Sequence, residues 1–185
     1  CTEPAAAALT GAIARQLLGE APDRVIVHAS RDVIKNVMHV GIPHSSSTGL
    51  AAAVLMGVLF GNPDHGLNIL STVSAPSESA MDTYREGEQV EIILAQGTPS
   101  VYIQVTLVGP TSTAAATIAG KHDLIVEKVK DGKVIWNIDP THHLSSQHTD
   151  VAVNWNIQDI LDFIEHSTMN TCGFLLELAQ INRAI

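Results

Sequence analysis

The chain has 185 residues and a mass of 19.6 kDa, enough to bury a core as one domain or a domain and a half. A hydrophobic fraction of 45% with only 16% charged residues excludes a disordered chain. Ten Lys and Arg against nineteen Asp and Glu leave a formal net charge of −9, which argues against nucleic acid or anionic lipid as a partner; 4% aromatics argue against a base-stacking surface.

Thr2 to Leu18 predicts a helix, with Thr2 as a cap, Pro4 in the first turn, an alanine-rich body and Gly19 after the end. Arg24 to Ser30 alternates with period two and predicts a strand. Arg31 to Met38 reads as a short helix or turn. The hydroxyl-rich loop His44 to Gly49 then leads into an apolar helix, Leu50 to Phe60, stopped by Gly61-Asn62-Pro63-Asp64. The apolar run from Leu50 to Gly61 is too short for a membrane span. Leu67 to Val73 and Ser77 to Arg85 read as helical, with Pro76 between them.

The pattern changes near Gly87. Val90 to Leu94, Val101 to Val108, Ala114 to Ala119, Asp123 to Lys130 and Lys133 to Ile138 predict successive strands, and Asp131-Gly132 predicts a hairpin turn. Asp139 to Asn154 reads as a loop rich in His and Ser. Ile157 to His166 and Thr171 to Ile185 predict two amphipathic helices. The expected fold is α+β: an antiparallel β-meander packed in two layers with helices from both ends of the chain. It is read as a single domain over 1–185, with a helical segment at 1–86, the meander at 87–138, a loop at 139–155 and helices at 156–185.

Cys1 and Cys172 do not make a disulfide scaffold, and no secretory leader pattern opens the chain, so a cytoplasmic protein with reduced thiols is expected. A start at Cys1 and a last helix that stops at Ile185 point to part of something larger.

Five features could carry chemistry. Cys1 stands at a helix N-terminus, where the macrodipole favours thiolate, the form that attacks carbonyls and ligates metals. A small buried hydrophobe is an equal account of it. Ser45, Ser46 and Ser47 precede the Leu50 helix and offer hydroxyls and amides to a carboxylate or phosphate. On spacing alone, a loop ending in an N-cap is the better account of them. Lys35 beside Asn36 could pair with a substrate carboxylate, though a solvated lysine fits the same pattern. His122, between two predicted strands, could be an acid or base, or merely a turn histidine. His142, His143 and His148 lack the Cys or carboxylate pattern of a zinc site and read as a solvated loop.

Taken in order, these stretches resemble the iron–sulfur L-cysteine desulfidase family, related to the alpha chain of L-serine dehydratases. The resemblance rests on Cys1-Thr2-Glu3-Pro4 before an alanine-rich helix and on Lys35-Asn36, Val40 and Ile42-Pro43. It continues through Gly61-Asn62 with Gly66-Leu67, Gly120-x-His122, the Asp131-Gly132 ribbon and the helix from Cys172. It covers nearly the whole chain. It implies an amino-acid lyase that carries a four-iron four-sulfur cluster and no pyridoxal phosphate. β-Elimination from L-cysteine or L-serine would yield pyruvate, ammonia and sulfide or water.

By the same resemblance Cys1 is a cluster ligand, and the other cluster cysteines belong to a C-terminal helical domain or partner subunit. Lys35, Asn36 and His122 become candidate catalytic residues, and Ser45, Ser46 and Ser47 candidate substrate-binding residues. The partners expected are a small amino-acid substrate and that missing helical part, with no nucleic acid and no membrane, in a homo-oligomer. The hydroxyl-rich loop leaves the choice between cysteine and serine open. Two further readings stand beside this one: an amidohydrolase with Cys1 as its N-terminal nucleophile, and a non-catalytic ligand-binding or assembly domain derived from the lyase.

Overall fold

The computed structural model of the protein describes residues 2–73, 76–139 and 156–183. Cys1 and the His142, His143 and His148 loop lie outside the described residues. The chain divides into two compact units, Cys1–Ser146 and Gln147–Ile185.

The first unit is built around α1 (Glu3–Leu18), a helix whose residues from Pro4 to Ala14 are all buried. Alanine and glycine make this possible, because small side chains let neighbours approach on every side. Pro4 occupies the first turn, and Gly19, at φ +77°, closes the helix by donating its N–H to the Arg15 carbonyl. The expected cap at Thr2 does not form. Thr2 has helical backbone angles rather than the extended ones a capping side chain needs, and only its carbonyl takes part, accepting from the Ala6 N–H at 2.9 Å.

Six strands form one sheet: β1 (Arg24–Ala29), β2 (Val90–Leu94), β3 (Tyr102–Val108), β4 (Thr113–Ala119), β5 (Ile125–Lys130) and β6 (Lys133–Asn137). Their order is β2-β1-β3-β4-β5-β6. The α+β class holds, but the meander covers only β3 to β6. β1 lies between β2 and β3, antiparallel to β3 and parallel to β2, so the sheet is mixed. The reason is the long helical connection from β1 to β2, which carries the chain back to start a parallel strand. The Asp131-Gly132 turn joins β5 and β6 with positive φ at both residues, as expected.

Register decides which face is core. Val25, Val27 and Ala29 of β1 stand opposite Leu107, Val105 and Ile103 of β3, which stand opposite Ala114, Ala116 and Ile118 of β4. All nine are buried, and α1 packs on β3 and β4. α1 also packs against α3 (Gly49–Phe60), an apolar helix buried over most of its length. Between β1 and α3 runs the short α2 (Arg31–Val37), and after α3 come a 3₁₀ segment (Pro63–Thr72) and α4 (Glu78–Glu86), capped by Ser77.

Two polar clamps tie α1 to the sheet. Glu20 accepts hydrogen bonds from the backbone N–H groups and hydroxyls of Thr111 and Ser112, all between 2.9 and 3.0 Å, and so holds the β3–β4 turn. Lys130 of β5 donates to the Leu18 carbonyl at 3.0 Å, satisfying one of the open carbonyls at the end of α1.

The second unit contains α5 (Ile157–His166) and α6 (Met169–Arg183). Asn156 and Asp159 form a reciprocal capping box at the start of α5. Cys172 lies in α6 and is half-buried.

Candidate functional site

Four segments distant in sequence meet at one pocket of about 320 Å³, lined by Glu3, Asp32, Lys35, Asn36, Ser100 and His122. Glu3 is in the first turn of α1, where the helix dipole favours a carboxylate. Asp32, Lys35 and Asn36 belong to α2, and a spacing of three and four places them on one side of that helix. Its other side, Val33 and Val37, is buried in the core. Ser30 fixes the start of α2 twice: its Oγ accepts from the Val33 N–H at 3.3 Å and donates to the Ser100 carbonyl at 2.6 Å. His122 lies in the turn between β4 and β5, just after Gly120 at φ +80°.

Glu3 is the hub. Its Oε1 accepts from Asn36 Nδ2 at 2.9 Å and lies 3.9 Å from His122 Nε2. The second distance exceeds a hydrogen bond, and among the described residues the buried His122 Nε2 has no hydrogen-bond partner. The Asn36 hydrogen bond holds the Glu3 carboxyl below its ordinary pKa, burial opposes it, and the nearby His122 adds a smaller lowering. Glu3 is therefore a carboxylate at neutral pH. The pocket presents a lysine ammonium, an amide, an imidazole and two carboxylates, a set suited to a zwitterionic amino acid and to moving a proton next to it.

Lys35, Asn36 and His122 are thus brought together. Ser45, Ser46 and Ser47 are not among the residues lining that pocket. They hold a carboxylate of their own chain instead. The Ser46 N–H donates to Glu78 Oε1 at 2.9 Å, the Ser47 hydroxyl donates to Glu78 Oε2 at 3.4 Å, and Arg85 donates to Ser47 Oγ at 2.7 Å. The Ser45 hydrogen bond and then the Ser46 amide hold the Glu78 carboxyl below its ordinary pKa. The anion that the loop's donors meet in this structure is Glu78 of α4.

Glu3, Asp32 and Ser100 had no signal of their own in the sequence. Glu3 stands inside the Cys-Thr-Glu-Pro stretch, where the thiol drew the chemical argument. Asp32 precedes Lys35 by three positions, a spacing that identifies it once α2 is known to be a helix. Ser100 enters only through the fold.

A four-iron cluster takes about four ligands, usually thiolates. The chain has two cysteines. Cys1 lies outside the described residues, and Cys172 belongs to the second unit. Among the described residues, no group of three or more His, Cys, Asp or Glu is placed to hold a metal ion. The donor set of these 185 residues does not fit such a cluster on its own. No helix among them is long and apolar enough to cross a membrane.

The chain is similar to UPF0597 proteins. It is 34% identical over 186 residues to one from Oleidesulfovibrio alaskensis, a match covering 100% of this chain and 43% of that protein. It is 32% identical over 182 residues to one from Shewanella oneidensis, covering 98% and 43%. A third, from Aliivibrio fischeri, is 31% identical over 186 residues, covering 100% and 44%. The chain therefore spans less than half the length of these curated relatives. No family model matches it, and no solved structure does.

Proposed function

We propose that the chain is the N-terminal part of an amino-acid lyase that performs β-elimination on L-cysteine or L-serine, releasing pyruvate, ammonia and sulfide or water. The observation that carries this reading is the convergence of Glu3, the Lys35-Asn36 pair and His122 on one pocket. These are the stretches on which the resemblance to the cysteine desulfidases rests.

Each group has a part. The Lys35 ammonium pairs with the substrate carboxylate. The Glu3 carboxylate, held charged by Asn36, balances the substrate ammonium. His122 takes the proton from the substrate Cα at Nε2, the atom 3.9 Å from Glu3 Oε1 that has no hydrogen-bond partner among the described residues. With the proton goes the bond to the β-substituent, and the aminoacrylate that remains hydrolyses to pyruvate and ammonia. Imidazolium formed at His122 is stabilised by the Glu3 charge 3.9 Å away.

The reading includes a four-iron cluster with Cys1 among its ligands. The remaining ligands must come from outside these 185 residues, in keeping with relatives that are more than twice as long.

The test is anaerobic expression of the full reading frame that carries this chain, with iron and sulfide reconstitution. Visible absorption and pyruvate release from L-cysteine and L-serine are then recorded. Turnover of either amino acid, lost by about two to four orders of magnitude in His122→Ala, supports the lyase. A reconstituted protein that binds these amino acids without releasing pyruvate overturns it in favour of a binding domain.

A further inference from the structure

A second cavity, of about 390 Å³, adjoins the pocket and shares Asp32 and Ser100 with it. It lies where the parallel strands β1 and β2 end, and its far wall is the loop from Ala95 to Ser100. That loop is pinned at both ends. The Ala95 N–H donates to the Ala29 carbonyl at 2.8 Å, and the Ser100 carbonyl accepts from Ser30 Oγ at 2.6 Å. Thr98 Oγ1 donates back to the Ala95 carbonyl at 3.3 Å, and Gly97 supplies the tight turn at φ +70°. The cavity is therefore a concavity at the carboxyl ends of β1 and β2 with a hydrogen-bonded wall.

Arg31 and Asp32 both line it, are exposed, and form no ion pair with another described residue. A neighbouring cation and anion match the carboxylate and ammonium of a free amino acid. Size points the same way. At protein packing density a single cysteine fills on the order of 100 Å³, so the first pocket alone holds it with room to spare. A ligand reaching from one cavity to the other past Asp32 and Ser100 would be elongated, with a zwitterionic group at each end.

We propose that the joined site accepts cysteines whose sulfur carries a second α-amino-acid unit through a thioether. The reacting cysteine sits among Glu3, Lys35 and His122, and the second unit sets its carboxylate on Arg31 and its ammonium on Asp32. This rests on the lyase reading above. In the reaction the Cα–H and Cβ–S bonds break and a Cα=Cβ bond forms. The sulfur keeps the electron pair and the second unit and leaves as a thiolate, which takes up the proton. Water then hydrolyses the aminoacrylate to pyruvate and ammonia, and no oxidant or reductant is needed.

The experiment compares kcat/KM for L-lanthionine, S-methyl-L-cysteine, L-cysteine and L-serine in the full-length reconstituted protein and in its Arg31→Gln and Thr98→Trp variants. Folding of each is checked by circular dichroism. L-Lanthionine is expected within tenfold of the best small substrate. The ratio of its kcat/KM to that for L-cysteine should fall about tenfold in Arg31→Gln, which loses a charge-assisted hydrogen bond, and in Thr98→Trp, which fills the lobe. Turnover of L-cysteine or L-serine without L-lanthionine overturns this proposal and leaves the lyase standing. So does a ratio unmoved by both variants. No pyruvate from any of the four overturns both.

Discussion

At the scale of single residues, the site depends on one carboxylate oxygen. Glu3 Oε1 is shared between the Asn36 amide and the neighbourhood of His122 Nε2. A hydrogen bond to the charged form lowers a carboxyl pKa, so removing Asn36 must raise that of Glu3. In Asn36→Leu the Glu3 carboxyl should therefore titrate at higher pH than in the unaltered protein. Carbon-13 NMR of the labelled Glu3 carboxyl checks this, and a titration that stays put or moves down would separate Asn36 from Glu3. Because His122 must be unprotonated to act as the base, Glu3→Gln should keep an acid limb in the kcat/KM profile.

At the scale of elements, the contact between α1 and α3 is the most exacting feature. A Cβ added at Gly57 would fall inside the van der Waals envelope of the Ala8 carbonyl, and backbone cannot rotate out of the way. At Gly11 an added Cβ would lie 2.9 Å from the Val54 carbonyl. Gly57→Ala should destabilise the protein by about 1–3 kcal/mol or more, as overpacking does. Gly11→Ala should cost less. Urea unfolding of both variants gives the order, and equal midpoints would mean the helices slide apart without penalty.

Most elements were legible in the sequence because their signals are local. Alternation marked β1, the alanine-rich run between Pro4 and Gly19 marked α1, and Asp131-Gly132 marked the hairpin. Strand partners were not legible, because periodicity reports a face and not a neighbour. Nothing in Arg24 to Ala29 says that it will separate β2 from β3. The site was half legible. Lys35, Asn36 and His122 could be named from their stretches. Asp32 and Ser100 become visible only when α2 is capped by Ser30 and that serine reaches the Ser100 carbonyl. On spacing alone a loop ending in an N-cap is the better account of the serine loop, and the arrival of Glu78 from α4 cannot be foreseen from spacing.

At the scale of the whole molecule, the carboxylates that fasten one part to another share a sign. Glu20, Glu78 and Glu3 all have pKa values held below the ordinary value of 4.5. For Glu20 the largest causes are the Thr111 amide and hydroxyl. A carboxyl with a depressed folded-state pKa stabilises the fold above its unfolded pKa, and that stabilisation is lost as pH falls through the folded value. Stability should therefore be level near neutrality and decline below about pH 4.5. Glu20→Gln should flatten part of that decline while lowering stability at pH 7. Denaturation midpoints measured from pH 7 to pH 3 would show it. A midpoint that rises on acidification would contradict the sign.

The placement of β1 also sets the order in which the fold can assemble. α1 and β1 are synthesised before β2, β3 and β4, yet β1 pairs with residues 103–108 and 90–94, and α1 rests on β3 and β4. Contacts this far apart in sequence carry a high loop-closure cost and form slowly. During translation the apolar α1 and α3 must wait for some sixty further residues to emerge after Phe60, until β4 ends at Ala119. A nascent chain of that length offers an unfinished, adhesive core. This is the interval in which a chaperone has most to hold.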